Sequence, residues 1–147
     1  HRRLAESALE KLAPFFPQAK GNWTARVPLP GGDFPHDGVA ALRAGLRARY
    51  AFLTDYWAAR LVRAYGTQAA EMLGDARTAS DLGQDFGATL RAREVDWLVA
   101  REFARGAEDI VWRRSKLGLR MTAEQIAALE AYLAGAQAAG AQAPAAE

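Results

Sequence analysis

Five of the chain's six prolines, Pro14, Pro17, Pro28, Pro30 and Pro35, fall between residues 14 and 35. Proline locks φ and carries no amide donor, so neither a helix interior nor a central strand can cross that stretch. Gly31-Gly32 interrupts it further. The segment from Pro14 to Asp37 is therefore expected to be an extended, irregular strap. A loop of that length is uncommon unless it lies on another surface or performs a task. Phe15, Phe16, Trp23, Leu29 and Phe34 supply apolar anchors along it. Two readings stay open: a linker stapled to the chain's own core, or a strap that also packs on a neighbouring domain.

The sequence on both sides of the strap has helical periodicity. Leu4, Ala8 and Leu12 share the i, i+4, i+8 spacing of one helix face. No Ser, Thr, Asp or Asn precedes them as a cap, which leads us to expect a helix continuing from an upstream chain. After Asp37, Val39, Leu42 and Leu46 form one stripe. Thr54 can cap a helix bearing Trp57, Leu61, Ala64 and Tyr65, stopped by Gly66. Thr67 can cap a third, short helix ending near Leu73-Gly74. A longer helix is expected from Thr89 to Arg105, with Val95, Leu98, Val99 and Phe103 inward. Thr122 and Gln125 form a capping box, and Met121 with Ile126 a hydrophobic staple, ahead of a last helix carrying Ile126, Leu129 and Leu133. No useful stretch alternates as a strand would.

The expected fold class is all-α: a small orthogonal helical bundle with a long Pro/Gly-rich irregular segment near the N-terminus. Residues 1–13 are read as a helix continuing from another domain and residues 14–37 as the strap. Residues 38–134 are read as the helical domain proper, and residues 135–147 as a disordered Ala/Gly/Gln-rich tail with no large apolar side chain to bury.

Composition narrows the function. With 147 residues, 50% of them hydrophobic and 24% charged, the chain can build one real core. Nineteen basic against seventeen acidic residues leave only +2, so binding nucleic acid by charge alone is not indicated. A stand-alone interaction or nucleic-acid-binding module remains the alternative from a different class. The absence of cysteine excludes a disulfide framework, a thiol nucleophile and a thiolate metal site. No apolar run reaches the ~20 residues that span a bilayer.

The residues that could carry chemistry are few. His36 lies in the proline-rich crossing and reads as an ordinary loop histidine. Asp81 and Asp85, with Gly83 and Gly87, invite a calcium-loop reading but lack the ligand alternation it needs. Asp81 is better read as a cap and Asp85 as the partner of an arginine, so no metal is expected. No Gly-x-Gly-x-x-Gly follows a strand, so no dinucleotide cradle is expected.

The segment Glu108-Asp109-Ile110-Val111-Trp112-Arg113-Arg114-Ser115-Lys116-Leu117-Gly118-Leu119 is the most informative. Its acids sit where a helix begins, its cations near the other end, and Gly118 is a natural stop. Trp112 reads as a core anchor, and Trp57 and Trp97 likewise. Arg113 and Arg114 can bind a phosphate bidentately, pair with Glu94, Asp96, Glu102 or Asp109, or bridge to acidic groups on a neighbouring domain. With Trp112, Lys116, Asp81 and Asp85 they are the candidate docking or ion-pair residues.

Together with Leu29-Pro30-Gly31-Gly32-Asp33, Asp81-Leu82-Gly83-Gln84-Asp85-Phe86-Gly87 and Glu94-Val95-Asp96-Trp97-Leu98-Val99, this segment resembles the C-terminal domain of the flavin-dependent, aerobic glycerol-3-phosphate dehydrogenases. The resemblance covers roughly residues 1–133, with the blocks in the family's order. It implies a parent enzyme that oxidises sn-glycerol 3-phosphate to dihydroxyacetone phosphate on FAD and passes electrons to quinone. It also implies a cytoplasmic protein, peripheral at the inner face of the membrane. This chain is then the part without flavin: no catalytic or cofactor-binding residue is expected in it, and its partner is the N-terminal flavin domain. Glycerol-phosphate oxidase, which gives its electrons to oxygen, is the near alternative.

Overall fold

The computed structural model describes residues 1–21 and 23–141, with side chains through residue 136. It is mainly helical. Helix α1 spans Arg2–Leu12, α2 Val39–Arg49, α3 Asp55–Tyr65, α4 Gln68–Leu73, α5 Ala92–Glu102 and α6 Ala123–Ala141. The elements from α2 onward surround one core that includes Leu61, Leu73, Phe86, Leu90, Val95, Leu98, Ile110 and Leu129.

The caps explain where several helices begin and end. The Thr54 hydroxyl accepts from the Trp57 amide at 3.2 Å and starts α3. At α6 the Thr122 amide donates to Gln125 Oε1 at 3.0 Å, while the Gln125 amide donates to Thr122 Oγ1 at 3.3 Å. Helix α4 is too short to satisfy its own last carbonyls, and neighbours do so instead. Tyr50 Oη donates to the Gly74 carbonyl at 2.7 Å, and Arg93 Nη1 to that of Leu73 at 2.8 Å.

Several expectations are corrected. A small antiparallel hairpin, β1 (Asp85–Gly87) with β2 (Leu90–Arg91), lies where no strand was expected. It is too short to display an alternating pattern, and its turn puts Ala88 and Thr89 at positive φ. Helix α5 consequently starts at Ala92 rather than Thr89. It also ends at Glu102, because Phe103 turns left-handed at φ 56° and points outward. Val99 is exposed as well, so the inward face of α5 consists of Ala92, Glu94, Val95 and Leu98. Val39, placed on the stripe of α2, is exposed too. Thr67 precedes α4 without capping it, its hydroxyl being bonded to Asp33. Helix α6 runs on to Ala141, past the point where the tail was expected to begin. Residues 142–147, also assigned to that tail, lie outside the described residues.

The strap is tied to the helical core where it crosses the α3–α4 junction. Gly31 at φ 75° and Gly66 at φ 55° cross so closely that a Cβ on Gly66 would lie 1.9 Å from the Gly31 carbonyl oxygen. There the Thr67 amide donates to that carbonyl at 3.0 Å. Only glycine fits such a backbone contact at positive φ, which accounts for the Leu-Pro-Gly-Gly-Asp block in physical terms.

Candidate functional site

The most buried polar arrangement joins α3, the hairpin turn and α5. Glu94 is 3% exposed and is the one charged residue fully buried among the described residues. Arg60 meets it with two parallel bonds of 2.7 Å, and Tyr65 Oη donates to Glu94 Oε1 at 2.7 Å. The same guanidinium donates from Nε to Thr89 Oγ1 at 2.8 Å and from Nη2 to the Thr89 carbonyl at 3.0 Å. Nearly every donor is spent inside the network, which marks it as a brace rather than a ligand site.

Burial alone would lower the Arg60 pKa, but the hydrogen bonds and charge of Glu94 outweigh it and raise it. Burial first, then the Glu94 charge, pushes the Tyr65 phenol far up. Its folded pKa lies above its unfolded value, so the associated stability is intact below about pH 10 and declines as pH rises above it. In an alkaline absorbance titration one tyrosine should therefore ionise only together with unfolding. A Tyr65 signal that titrates while the fold persists would contradict the network.

Sequence reading did not find this brace. In the sequence Glu94 reads as a partner for Arg113 or Arg114, and Arg60 belongs to no motif. The available signal was an arginine beside the inward stripe of α3 combined with a glutamate on the inward stripe of α5.

The Trp112–Lys116 segment is built differently from expectation. Asp109–Arg114 is a π-helix, Lys116 stands at φ 61°, and Gly118 lies within a 3₁₀ turn, Leu117–Leu119, instead of ending a helix. Trp112 is 38% exposed and is no core anchor. Its indole lies over Gly118, where a Cβ would approach Cζ2 to 2.6 Å. Trp57, by contrast, is buried in the core, and Trp97 packs partly against it.

Both arginines pair within the chain. Arg113 reaches Asp109 at 2.9 Å and Glu108 at 3.4 Å on an open surface. Arg114 donates from Nε at 2.9 Å and from Nη2 at 2.6 Å to the carbonyl of Glu102, the last residue of α5. It thus closes a helix end, using the carbonyl rather than the carboxylate that the sequence suggested. Arg114→Met should lower stability by about 1 kcal/mol, whereas Arg113→Met should change it by less than about 0.5 kcal/mol. Denaturant titrations of both variants check the contrast, and equal losses would refute the capping role.

Asp81 accepts from the amides of Arg77 and Thr78 at 2.8 Å each, and these bonds hold its carboxyl below the usual range. Asp85 pairs with Arg91 at 2.8 Å and accepts from the Gly87 amide at 2.9 Å. The two acids serve separate local turns. Among the described residues no group of three or more His, Asp or Glu could hold a metal ion. His36 is exposed in a turn just before α2.

A different kind of surface lies at the N-terminal end. Helix α1 buries none of its side chains. Leu4, Phe15, Phe16 and Trp23 are 74, 76, 57 and 57% exposed. Thr24 Oγ1 donates to Glu6 Oε1 and folds the strap back on α1. Between them lies a cavity of about 570 Å³ lined by Leu9, Phe15, Phe16, Trp23 and neighbouring residues. Clustered apolar exposure of this kind marks a contact surface.

With the geometry described, comparison with known proteins decides the family. Residues 22–139 match the model of the C-terminal domain of alpha-glycerophosphate oxidase. The chain belongs to that family. The chain is 47% identical over 133 residues to a glycerol-3-phosphate dehydrogenase of Pseudomonas aeruginosa. It is 41% identical over 133 residues to the aerobic glycerol-3-phosphate dehydrogenase of Escherichia coli K12. Both comparisons cover 90% of this chain and 26% of the relative. A D-erythritol 1-phosphate dehydrogenase of Brucella abortus is 36% identical over 127 residues, covering 86% of this chain and 25% of its own length. The chain thus spans about a quarter of the length of these curated relatives.

Among the described residues the two strands pair as an antiparallel hairpin, and β2 runs straight into α5 at Arg91-Ala92 with no glycine-rich turn that would cradle a pyrophosphate. No helix among the described residues is long and apolar enough to cross a membrane.

Proposed function

We propose that this domain is the C-terminal part of a flavin-dependent sn-glycerol-3-phosphate dehydrogenase and braces the flavin domain through α1 and the strap. The carrying observation is the contrast between a closed core from α2 onward and an N-terminal helix and strap whose large apolar side chains face outward. The identity to two glycerol-3-phosphate dehydrogenases supports the parent activity. In that parent, glycerol 3-phosphate loses a hydride from C2 and a hydroxyl proton, giving dihydroxyacetone phosphate, and FAD takes the hydride before quinone receives the electrons. The parent then works peripherally at the cytoplasmic side of a membrane. This chain contributes position and no redox chemistry.

Phe16→Ser and Trp23→Ser should leave the melting of the 147-residue chain unchanged within about 0.5 kcal/mol, because neither side chain is buried in it. In the full-length enzyme the same changes should lower the flavin-loaded fraction and the melting temperature. Full-length variants that keep both would refute docking through this face. Stoichiometric flavin, or glycerol 3-phosphate-dependent dye reduction, in the 147-residue chain alone would refute its passive role.

The family, that of the alpha-glycerophosphate oxidase C-terminal domain, favours a second reading, in which the parent is a glycerol-phosphate oxidase. The two differ in the electron acceptor, so peroxide release by the full-length enzyme in air decides between them.

A further inference from the structure

A cavity of about 380 Å³ has Arg60 of the brace in its lining. Arg60, Arg63, Lys116 and Arg120 all line it, together with Tyr56 and Ser115, and no carboxylate does. Arg60 is already committed to Glu94 and Thr89, so it forms a fixed floor. The other three cations give the cavity its charge. Arg120 is held in place by its stack on the Tyr56 ring, 4.7 Å from the centroid. In a chain whose net charge is only +2, three cations around one concavity without an acid are a local concentration and not a reflection of composition.

The backbone that builds one wall of this cavity is irregular throughout. The π-helix Asp109–Arg114 ends at Ser115, whose amide bonds to the Ile110 carbonyl at 3.1 Å. Lys116 follows at φ 61°, and the 3₁₀ turn Leu117–Leu119 then leads to Arg120. A lysine in the left-handed region costs free energy that a glycine or asparagine would reduce. Single-turn π segments also concentrate at functional sites. Neither Arg113 nor Arg114 explains the irregularity, since both pair within the segment or cap α5. Its evident product is to deliver Lys116 and Arg120 to the same cavity as Arg63.

We propose that this cavity binds a phosphate group. Guanidinium groups offer paired donors to a multi-oxygen anion, and a lysine adds a point charge with three donors. The concave shape, closed below by an already neutralised pair, suits a compact dianion. Phosphate can arrive free, on a small phosphate ester, or as a lipid headgroup, and the chemistry of the cavity is the same for each. The inference does not rest on the parent's activity and stands if that reading fails.

The test uses the 147-residue chain and amide NMR spectra at constant ionic strength. Titration with inorganic phosphate should shift the signals of Tyr56, Arg63 and the Ser115–Arg120 segment along one saturable curve, with chloride at equal ionic strength shifting none of them. Arg63→Gln and Arg120→Gln should each weaken binding about tenfold, while the surface control Arg77→Gln should bind as the unaltered chain does. Melting curves identify any variant that has lost its fold, and Lys116→Gly, which relieves the left-handed residue, serves as a variant with no folding penalty and is expected to weaken binding too.

A parallel arm uses vesicles of phosphatidylcholine with and without phosphatidylglycerol. Saturable phosphate binding without vesicle association assigns the cavity to free phosphate or its esters. Association with the anionic vesicles alone, lost in the same variants, assigns it to lipid headgroups. Shifts that do not saturate, that arise elsewhere, or that survive Arg63→Gln and Arg120→Gln overturn the proposal if the vesicles also fail to bind.

Discussion

Replacing Glu94 by alanine is expected to destabilise the domain by about 3–5 kcal/mol, because it strands the Arg60 guanidinium without its counter-charge in a nearly water-free position. The side chains of Arg60 and Glu94 are only 11% and 4% exposed, and they are joined by two bonds of 2.7 Å between α3 and α5. The same change leaves the Tyr65 hydroxyl without an acceptor, which adds to the loss. Glu94→Gln should be milder, since an amide oxygen still accepts although the charge is gone. Urea or thermal unfolding of the two variants checks the order. Replacing all three polar members together, Arg60→Met, Glu94→Leu and Tyr65→Phe, should recover much of the stability, as buried ion pairs commonly exchange for apolar packing with little net cost. A triple variant less stable than Glu94→Ala would mean that the network does more than satisfy itself.

Gly66→Ala is expected to be the second severe change. Gly66 occupies φ 55° and ψ −127°, a conformation that costs an L-residue on the order of 1–3 kcal/mol. The new Cβ would also lie 1.9 Å from the Gly31 carbonyl oxygen, which is backbone and cannot swing aside. The strap must therefore lift from the α3–α4 junction. The Thr67 amide, bonded to Gly31 at 3.0 Å, should then lose its protection from hydrogen exchange, while amides in the core of α5 keep theirs. Retained protection at Thr67 with an unchanged melting temperature would show that the crossing is looser than described. The same substitution separates the two roles of the strap: it releases the anchored end without altering Phe15, Phe16 or Trp23.

The helical class and most helix starts were legible in the residues, because these depend on local chemistry. Proline lacks a donor wherever it is placed, apolar side chains at helical spacing select one face, and Thr54 or Thr122 with Gln125 satisfies amides within a single turn. The cap of Asp81 and the pairing of Asp85 with an arginine were legible for the same reason.

Only the tertiary structure decided which charges are buried and which arginine does what. Arg60 and Glu94 are 34 residues apart and meet because α3 packs beside α5, and no spacing rule reaches that far. Trp112 and Trp57 look equivalent as letters, yet one lies on the surface over Gly118 and the other in the core. The π-helical turn and the left-handed Lys116 after it place Arg114 at the end of α5 and Lys116 in the cavity of Arg63 and Arg120. Burial is a property of how elements meet, and the free energy that selects one meeting over another is summed over the whole core rather than written in any one segment.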